Sequence, residues 1–285
     1  MQHLRLILKQ IRVHQWVKNV LVFAPLFFVG QFFMLDKLSM AGELFMAFSL
    51  LASSMYILND INDRHVDRLH PKKKNRPIAA GKIKLWEGYL IMAIFLAITG
   101  FLMTQFNLKT NILLGGYLVL NLLYSNGLKS VAIIDIFLVA LMYLIRIKAG
   151  GELFDIEVSE WLVLVTFFLA LFLIIGKRRA ELTSKSGHST REVLKSYNEQ
   201  FLDYCLVVVI SATVIGYSLY TVSMEISYLL YSSFFVFFGM FRYVYLIYVE
   251  GKGEAPDKLI FKDMWLLITV VLWAAYVFGV FYYFG

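Results

Sequence analysis

Asn59-Asp60-Ile61-Asn62-Asp63-Arg64-His65-Val66-Asp67, with the basic run Arg68-Leu69-His70-Pro71-Lys72-Lys73-Lys74-Asn75-Arg76-Pro77 directly after it, closes a strongly apolar segment. Its charges therefore emerge where a membrane-crossing helix would reach water. Asp60, Asp63 and Asp67 fall at i, i+3 and i+7, which on a helix stacks them along one face within reach of a common ion. Three carboxylates so placed repel one another. A hard divalent cation, Mg2+ in the first place, removes that cost; it keeps several waters and is shared between carboxylates and substrate phosphates. The stretch reads as a metal-diphosphate clamp, in which Asn59 and Asn62 add a neutral oxygen ligand or cap the helix. The plainer alternative is a solvated helix end paired to Arg64 and Arg68. It leaves a concentration of acids and amides at a membrane exit without an ion to offset it.

Working outward, composition sets the class. Of 285 residues 60% are apolar and 16% are charged, with 25 Phe and 17 Tyr, and a soluble domain of that length needs more polar cover. Apolar segments long enough to cross a bilayer recur throughout. The expectation is an all-α, polytopic membrane protein with residues 1–285 in one integral-membrane unit and no separate soluble domain. The net charge of +7 is then a matter of loop placement, and nucleic-acid binding is a poor account of it. Cys205 is the sole cysteine, so no intrachain disulfide forms. Arg5, Lys9, Arg12 and Lys18 precede the first apolar run in the manner of a signal peptide. No small-residue cleavage site follows, and the run reads as a retained first helix.

Windows of roughly 17 to 25 residues place nine spans near 19–35, 40–58, 86–105, 109–125, 131–149, 160–176, 202–222, 225–248 and 263–283. With the N-terminus inside, 23 of the 27 Lys and Arg residues fall in cytoplasmic segments, as the positive-inside rule requires of an odd number of spans. The expected location is the cell membrane, multi-pass, with the chemistry on the cytoplasmic side. Trp16, Trp86, Trp161 and Trp265 land near span ends, where interfacial anchors belong.

The inside segments supply the remaining candidates. In the N-terminal arm Arg12, Gln15, Lys18 and Asn19 read either as a positive-inside anchor or as donors to a lipid phosphate, since Gln15 and Asn19 share a helical face with Arg12. Arg76, held between Asn75 and Pro77-Ile78-Ala79-Ala80-Gly81, has its planar fork aimed and reads as a phosphate ligand. In Tyr124-Ser125-Asn126-Gly127-Leu128-Lys129, Lys129 is the cation of a short turn on the aspartate side and reads as a partner for a diphosphate. Asp135, just inside the fifth span, is either functional or hydrogen-bonded to a neighbouring helix. Arg146, near that span's far end, has no assignment. The loop from Gly176 through Lys177, Arg178, Glu181, Lys185, His188, Arg191 and Lys195 to Tyr197 carries no paired aspartates and suits a helical cap over a site. Glu250 to Asp257 reads as a flexible connector.

The pattern NDxxDxxxD, carried by Asn59-Asp60, Asp63 and Asp67 on nine spans, resembles the UbiA-type intramembrane prenyltransferase superfamily over most of the chain. The resemblance implies helices surrounding a central cavity that opens to lipid, and Mg2+ holding a diphosphate. Most members have a second aspartate motif after the sixth span, where this sequence has Lys177, Arg178 and Glu181. Closer is the similarity to the decaprenyl-phosphate phosphoribosyltransferase branch, carried by Arg12 with Gln15-Trp16-Val17-Lys18-Asn19, His70-Pro71 to Gly81, Tyr124 with Leu128-Lys129, Arg146 with Ala149-Gly150-Gly151, and Gly176 to Leu182. It implies transfer of 5-phosphoribose from phosphoribosyl diphosphate to a polyprenyl phosphate, with release of diphosphate.

On that reading Asp60, Asp63 and Asp67 hold Mg2+ on the leaving diphosphate, and Arg76 and Lys129 share the load. Lys177, Arg178 and Arg191 are candidates for the sugar 5-phosphate; Arg12, Gln15 and Lys18 for the lipid phosphate; Asn19, Asn59 and Tyr124 complete the substrate-binding set. The acceptor phosphate is already ionised, so no general base is needed. The alternative within the superfamily is a prenyltransferase taking a polyprenyl diphosphate donor, against which the missing second motif argues. A transporter would need polar residues recurring at mid-membrane, whereas those here cluster at cytoplasmic span ends.

Overall fold

The protein is described by a computed structural model over residues 2–69, 73–183, 192–253 and 256–284. Among these residues every regular element is helical: α1 (Gln2–Gln10), a 3-10 segment (Val13–Phe23), α2 (Ala24–Phe28), α3 (Leu35–Asn62), α4 (Arg64–Leu69), α5 (Leu85–Met103), α6 (Leu108–Ser125), α7 (Ile134–Leu153), α8 (Glu160–Thr183), α9 (Glu199–Ser223), α10 (Ser233–Tyr248), α11 (Pro256–Lys262) and α12 (Met264–Phe284). In a bilayer each backbone N–H and C=O must be satisfied within its own segment, which long helices do. Among the described residues six helices are long and apolar enough to cross a membrane on their own, which makes this a multi-pass membrane protein. α6 and α7 lie over the fourth and fifth expected spans and bury polar side chains, among them Thr110, Asp135 and Arg146.

Neighbours in sequence are neighbours in space: α3 packs on α5, α6 on α7, α7 on α8, α8 on α9 and α10 on α12. One apolar cluster joins Leu171, Phe172 and Ile175 of α8 to Leu202, Leu206, Tyr243 and Leu246. A second joins Phe48 and Leu51 of α3 to Leu114, Tyr117 and Met142. Large apolar residues such as Phe101, Val208 and Phe241 remain exposed on the outer faces, as suits a chain whose solvent is lipid. Side-chain caps set two helix starts: Asn107 accepts from the Thr110 N–H and Asn198 from the Phe201 N–H, replacing partners the first turn lacks.

The first expected span departs from expectation. Instead of one α-helix over 19–35, the 3-10 segment runs to Phe23 and α2 stops at Phe28. Pro25, in the first turn of α2, has no N–H to donate back to Leu21 O, the bond that an α-helix continuing from Asn19 would need there. Gly30, at φ 69°, ends α2 as a Schellman turn, with Gly30 N–H bonded to Phe27 O and Gln31 N–H to Leu26 O. The expected connector at 250–257 also differs: Gly253 packs against Ala180 of α8, and α11 follows with Leu259 buried.

The 3-10 segment lies against α7 at Gly150, where an added Cβ would stand 2.1 Å from the Val22 carbonyl oxygen. Both sides of that contact are backbone, so nothing can yield cheaply. Gly150→Ala is expected to cost at least about 1–3 kcal/mol, read as a lower unfolding midpoint in detergent. Gly116→Ala, where a Cβ meets open space, is the control and should match the wild type.

Candidate active site

At 3.6 residues per turn Asp67 returns to within about 20° of Asp60 around the helix, whereas Asp63 stands about 60° away. The structure follows that arithmetic. The helical hydrogen bonding runs on through Asp63, which closes α3, into α4, with Asp63 N–H on Asn59 O and Asp67 N–H on Asp63 O, both 2.8 Å. Asp60 and Asp67 are 2% and 1% exposed, and one guanidinium nitrogen joins them: Arg76 Nη1 lies 2.9 Å from Asp60 Oδ1 and 2.6 Å from Asp67 Oδ2. Arg12 Nη2 donates to Asp60 Oδ1 at 2.6 Å and Gln10 Nε2 to Asp60 Oδ2 at 2.9 Å. Lys73 Nζ stands 3.9 Å from Asp67 Oδ1.

The turn sequences explain these placements. Arg12 sits at φ 55°, a left-handed conformation uncommon for a residue with a side chain, at the break between α1 and the 3-10 segment. Its guanidinium lies over the Tyr56 ring at 4.6 Å. Arg76 is presented by the turn through Pro77 and Gly81, which Arg68 Nε anchors by donating to Ala79 O at 3.0 Å.

Asp63 instead faces Lys129, 3.4 Å away, and both are well exposed. A pair so wetted contributes little to stability, which leaves both groups available to a substrate. The three aspartates thus do not converge on one point, and among the described residues no group of three or more His, Cys, Asp and Glu side chains is placed to hold a metal. The pair Asp60 and Asp67 does suit a hard divalent ion. Their oxygens already bracket a single cationic nitrogen, and two carboxylates completed by water and substrate phosphate are what Mg2+ takes.

The other expected residues divide. Asn59 is half-buried one turn before Asp63. Gln15 N–H donates to Arg12 O, closing the turn that carries Arg12. Lys18 is half-buried beyond it, and Asn19 is fully buried, donating to Ser49 and accepting from Arg146 Nε at 2.6 Å. Arg178, expected at a phosphate, is 2% exposed and committed elsewhere: its Nε donates to Asp135 Oδ2 at 2.8 Å and its Nη1 to Glu181 at 3.2 Å. Tyr124 is within electrostatic reach of it. Lys177 stands 3.9 Å from Glu181 on the half-buried side of α8. Tyr197 completes this second cluster, donating its hydroxyl to Asp135 Oδ1 at 2.6 Å and accepting the Ile133 N–H. Burial first, and then the Asp135 carboxylate, push the Tyr197 phenol up, so it stays protonated and a donor. Arg191, with Lys185 and His188, lies outside the described residues.

Gln10, Tyr56 and Arg146 are the participants that the sequence did not assign. Gln10 reaches Asp60 across fifty positions of chain, and no local pattern marks such a contact. Arg146 did carry a signal, a cation within a span.

The sequence profile of the UbiA prenyltransferase family matches residues 20–268. A decaprenyl-phosphate phosphoribosyltransferase of Mycobacterium tuberculosis is 35% identical to this chain over 285 aligned residues, covering 94% of this chain and 92% of the relative. One from Corynebacterium glutamicum is 32% identical, covering 93% and 83%. Among solved structures, a UbiA homolog from Archaeoglobus fulgidus bound to DMAPP and Mg2+ superposes with a TM-score of 0.74 at 20% identity, over 97% of this chain and 99% of that one. At that identity the likeness is one of fold.

Proposed function

This chain belongs to the UbiA prenyltransferase family, and on that premise we propose that it transfers 5-phosphoribose from phosphoribosyl diphosphate to a decaprenyl-type polyprenyl phosphate, releasing diphosphate. One observation carries the choice of donor: relatives 32–35% identical over nearly the whole chain bear the name decaprenyl-phosphate phosphoribosyltransferase. The site's chemistry agrees with it. Two buried carboxylates face two arginines and a lysine, an excess of positive charge suited to a polyanionic donor.

Asp60 and Asp67, with Asp63 beside them, are the residues that would hold Mg2+. The ion supplies neutralisation of charge on the diphosphate as the anomeric C–O bond breaks. The chain's own groups exchange partners around it. Arg12 and Arg76 rest on Asp60 and Asp67, so neither charge is left bare before substrate arrives. With Asp60 and Asp67 engaged by the ion, Arg12 and Arg76 would be free to donate to the diphosphate oxygens, which their guanidinium forks match in geometry. Lys129 adds a point charge from the opposite loop. An oxygen of the acceptor phosphate attacks C1 of the ribose as the diphosphate departs; it carries no proton to remove, so the step needs no general base.

In this reading the cluster faces the cytoplasm, where the donor is dissolved, and the isoprenoid tail runs along the apolar helices. The test is direct. Full-length protein in detergent with Mg2+, polyprenyl phosphate and labelled phosphoribosyl diphosphate should move label into the organic phase, and EDTA should abolish it. A lipid product formed only from a polyprenyl diphosphate donor would replace this reading with prenyl transfer.

A further inference from the structure

Arg146 is 5% exposed within α7, and among the described residues no carboxylate lies within ion-pairing distance of it. The other buried arginine, Arg178, has two. The partners of Arg146 are neutral: Nε donates to Asn19 Oδ1 at 2.6 Å, Nη2 to the Tyr117 hydroxyl at 2.9 Å, and Nη1 to the Met142 carbonyl. Of the five donors a guanidinium carries, two remain. Its flanks are aromatic, with Tyr117 at 4.7 Å and Tyr143 at 5.5 Å. A tie between helices has no need of charge, and a charge withdrawn from water without a counter-ion is unfavourable. Such a group waits for an anion.

A second cation is carried by the 3-10 segment that supplies Asn19 to the fork. Lys18 adjoins Asn19, lies close enough to Tyr117 to act on its hydroxyl electrostatically, and makes no hydrogen bond or ion pair among the described residues. On the aspartate side, Arg12 lies over the Tyr56 ring and holds Asp60. Ser49, which holds Asn19, lies about 16 Å down α3 from Asp60. The Arg146 fork turns back from its own Cα towards the aspartate end through Met142 O.

We propose that Arg146 and Lys18 bind a phosphate monoester, with Asn19 and Tyr117 holding the fork in place. Both partners of the proposed reaction carry that group, as the acceptor's phosphate and as the ribose 5-phosphate. Which phosphate occupies the subsite rests on that proposed function; the existence of the subsite does not.

The test uses the full chain in detergent with EDTA, so that the metal-diphosphate site is not engaged. Calorimetric titration with ribose 5-phosphate and, separately, with farnesyl phosphate is compared between wild type and Arg146→Lys, which keeps the charge and loses the fork. At least a tenfold weakening of one phosphate at an unchanged unfolding midpoint is expected. Loss of farnesyl phosphate assigns the subsite to the acceptor, and loss of ribose 5-phosphate assigns it to the donor. Unchanged affinity for both, no binding of either by the wild type, or loss of both in step with a lowered midpoint overturns the proposal. If Arg146→Lys does not fold, Lys18→Gln, which breaks no hydrogen bond or ion pair among the described residues, is read by the same criteria. A wild type that binds a phosphate here yet transfers no phosphoribose would overturn the proposed function and leave this inference standing.

Discussion

Asp60→Asn is expected to lower phosphoribosyl transfer by about 10²–10³-fold, the range for removing one preorganised group from a charge-stabilising site, while the protein still folds. The carboxylate accepts from Gln10, Arg12 and Arg76 at once, so the substitution removes a charge that three donors converge on. Folding survives because each arginine keeps a second support: Arg76 retains Asp67 and Arg12 retains the Tyr56 ring. Asp67→Asn should be similarly damaging, since Asp67 is as deeply buried and shares the same nitrogen of Arg76. Asp63→Asn should cost less than either, because Asp63 is wetted and its ion pair is with the equally exposed Lys129. Initial rates with labelled phosphoribosyl diphosphate, alongside unfolding curves, check the order. A folded Asp60→Asn protein retaining more than a tenth of the wild-type rate would remove the aspartate pair from the mechanism.

That ranking shows where sequence reasoning reached its limit. The membrane class was legible because apolar runs of bilayer length leave no other solvent: eight of the nine expected windows fall on helices, α3, α5, α6, α7, α8, α9, α10 and α12, and among the described residues six are long and apolar enough to cross a membrane. The first did not, although Pro25 was in plain view: hydropathy counts a proline's apolar surface and ignores its missing N–H. The aspartate mouth was legible because its spacing is local. Which aspartates share a cation depends on angles a loose helical face conceals, and on Arg76, delivered from a separate turn.

The contacts that sequence could not supply are long-range and between single residues. Gln10 meets Asp60, and Arg178 meets Asp135, across stretches of chain that carry no periodic signal. Arg178 illustrates the consequence. Placed in a basic run at a span end, it looks the equal of Lys177, but one side of α8 faces α7 and finds Asp135 there. The same geometry accounts for Arg146: the span's length puts its Cα far from the aspartates, while the side chain returns a turn towards them to reach Asn19 and Tyr117.

Asp135→Ala is expected to destabilise the protein by about 3–5 kcal/mol, the cost of leaving a buried charge without its partner, and to lower the unfolding midpoint in detergent by on the order of 10 °C. Asp135 is fully buried, and Arg178 nearly so. Among the described residues, removing the carboxylate leaves the guanidinium its ion pair with Glu181 at 3.2 Å. It also removes the acceptor for the Tyr197 hydroxyl, which positions the Ile133 N–H. Ile133 sits at φ 69°, a strained setting for a β-branched residue that persists only while its surroundings hold it. The double variant Asp135→Leu/Arg178→Met should recover most of the loss, because removing both charges ends the desolvation cost that either one incurs alone. Unfolding midpoints of Asp135→Leu, Arg178→Met and the double variant close the cycle. If Asp135→Ala melts with the wild type, or the double variant falls by the sum of the singles, then the pair does not brace α7 against α8, and Arg178 returns to the set of candidate phosphate ligands.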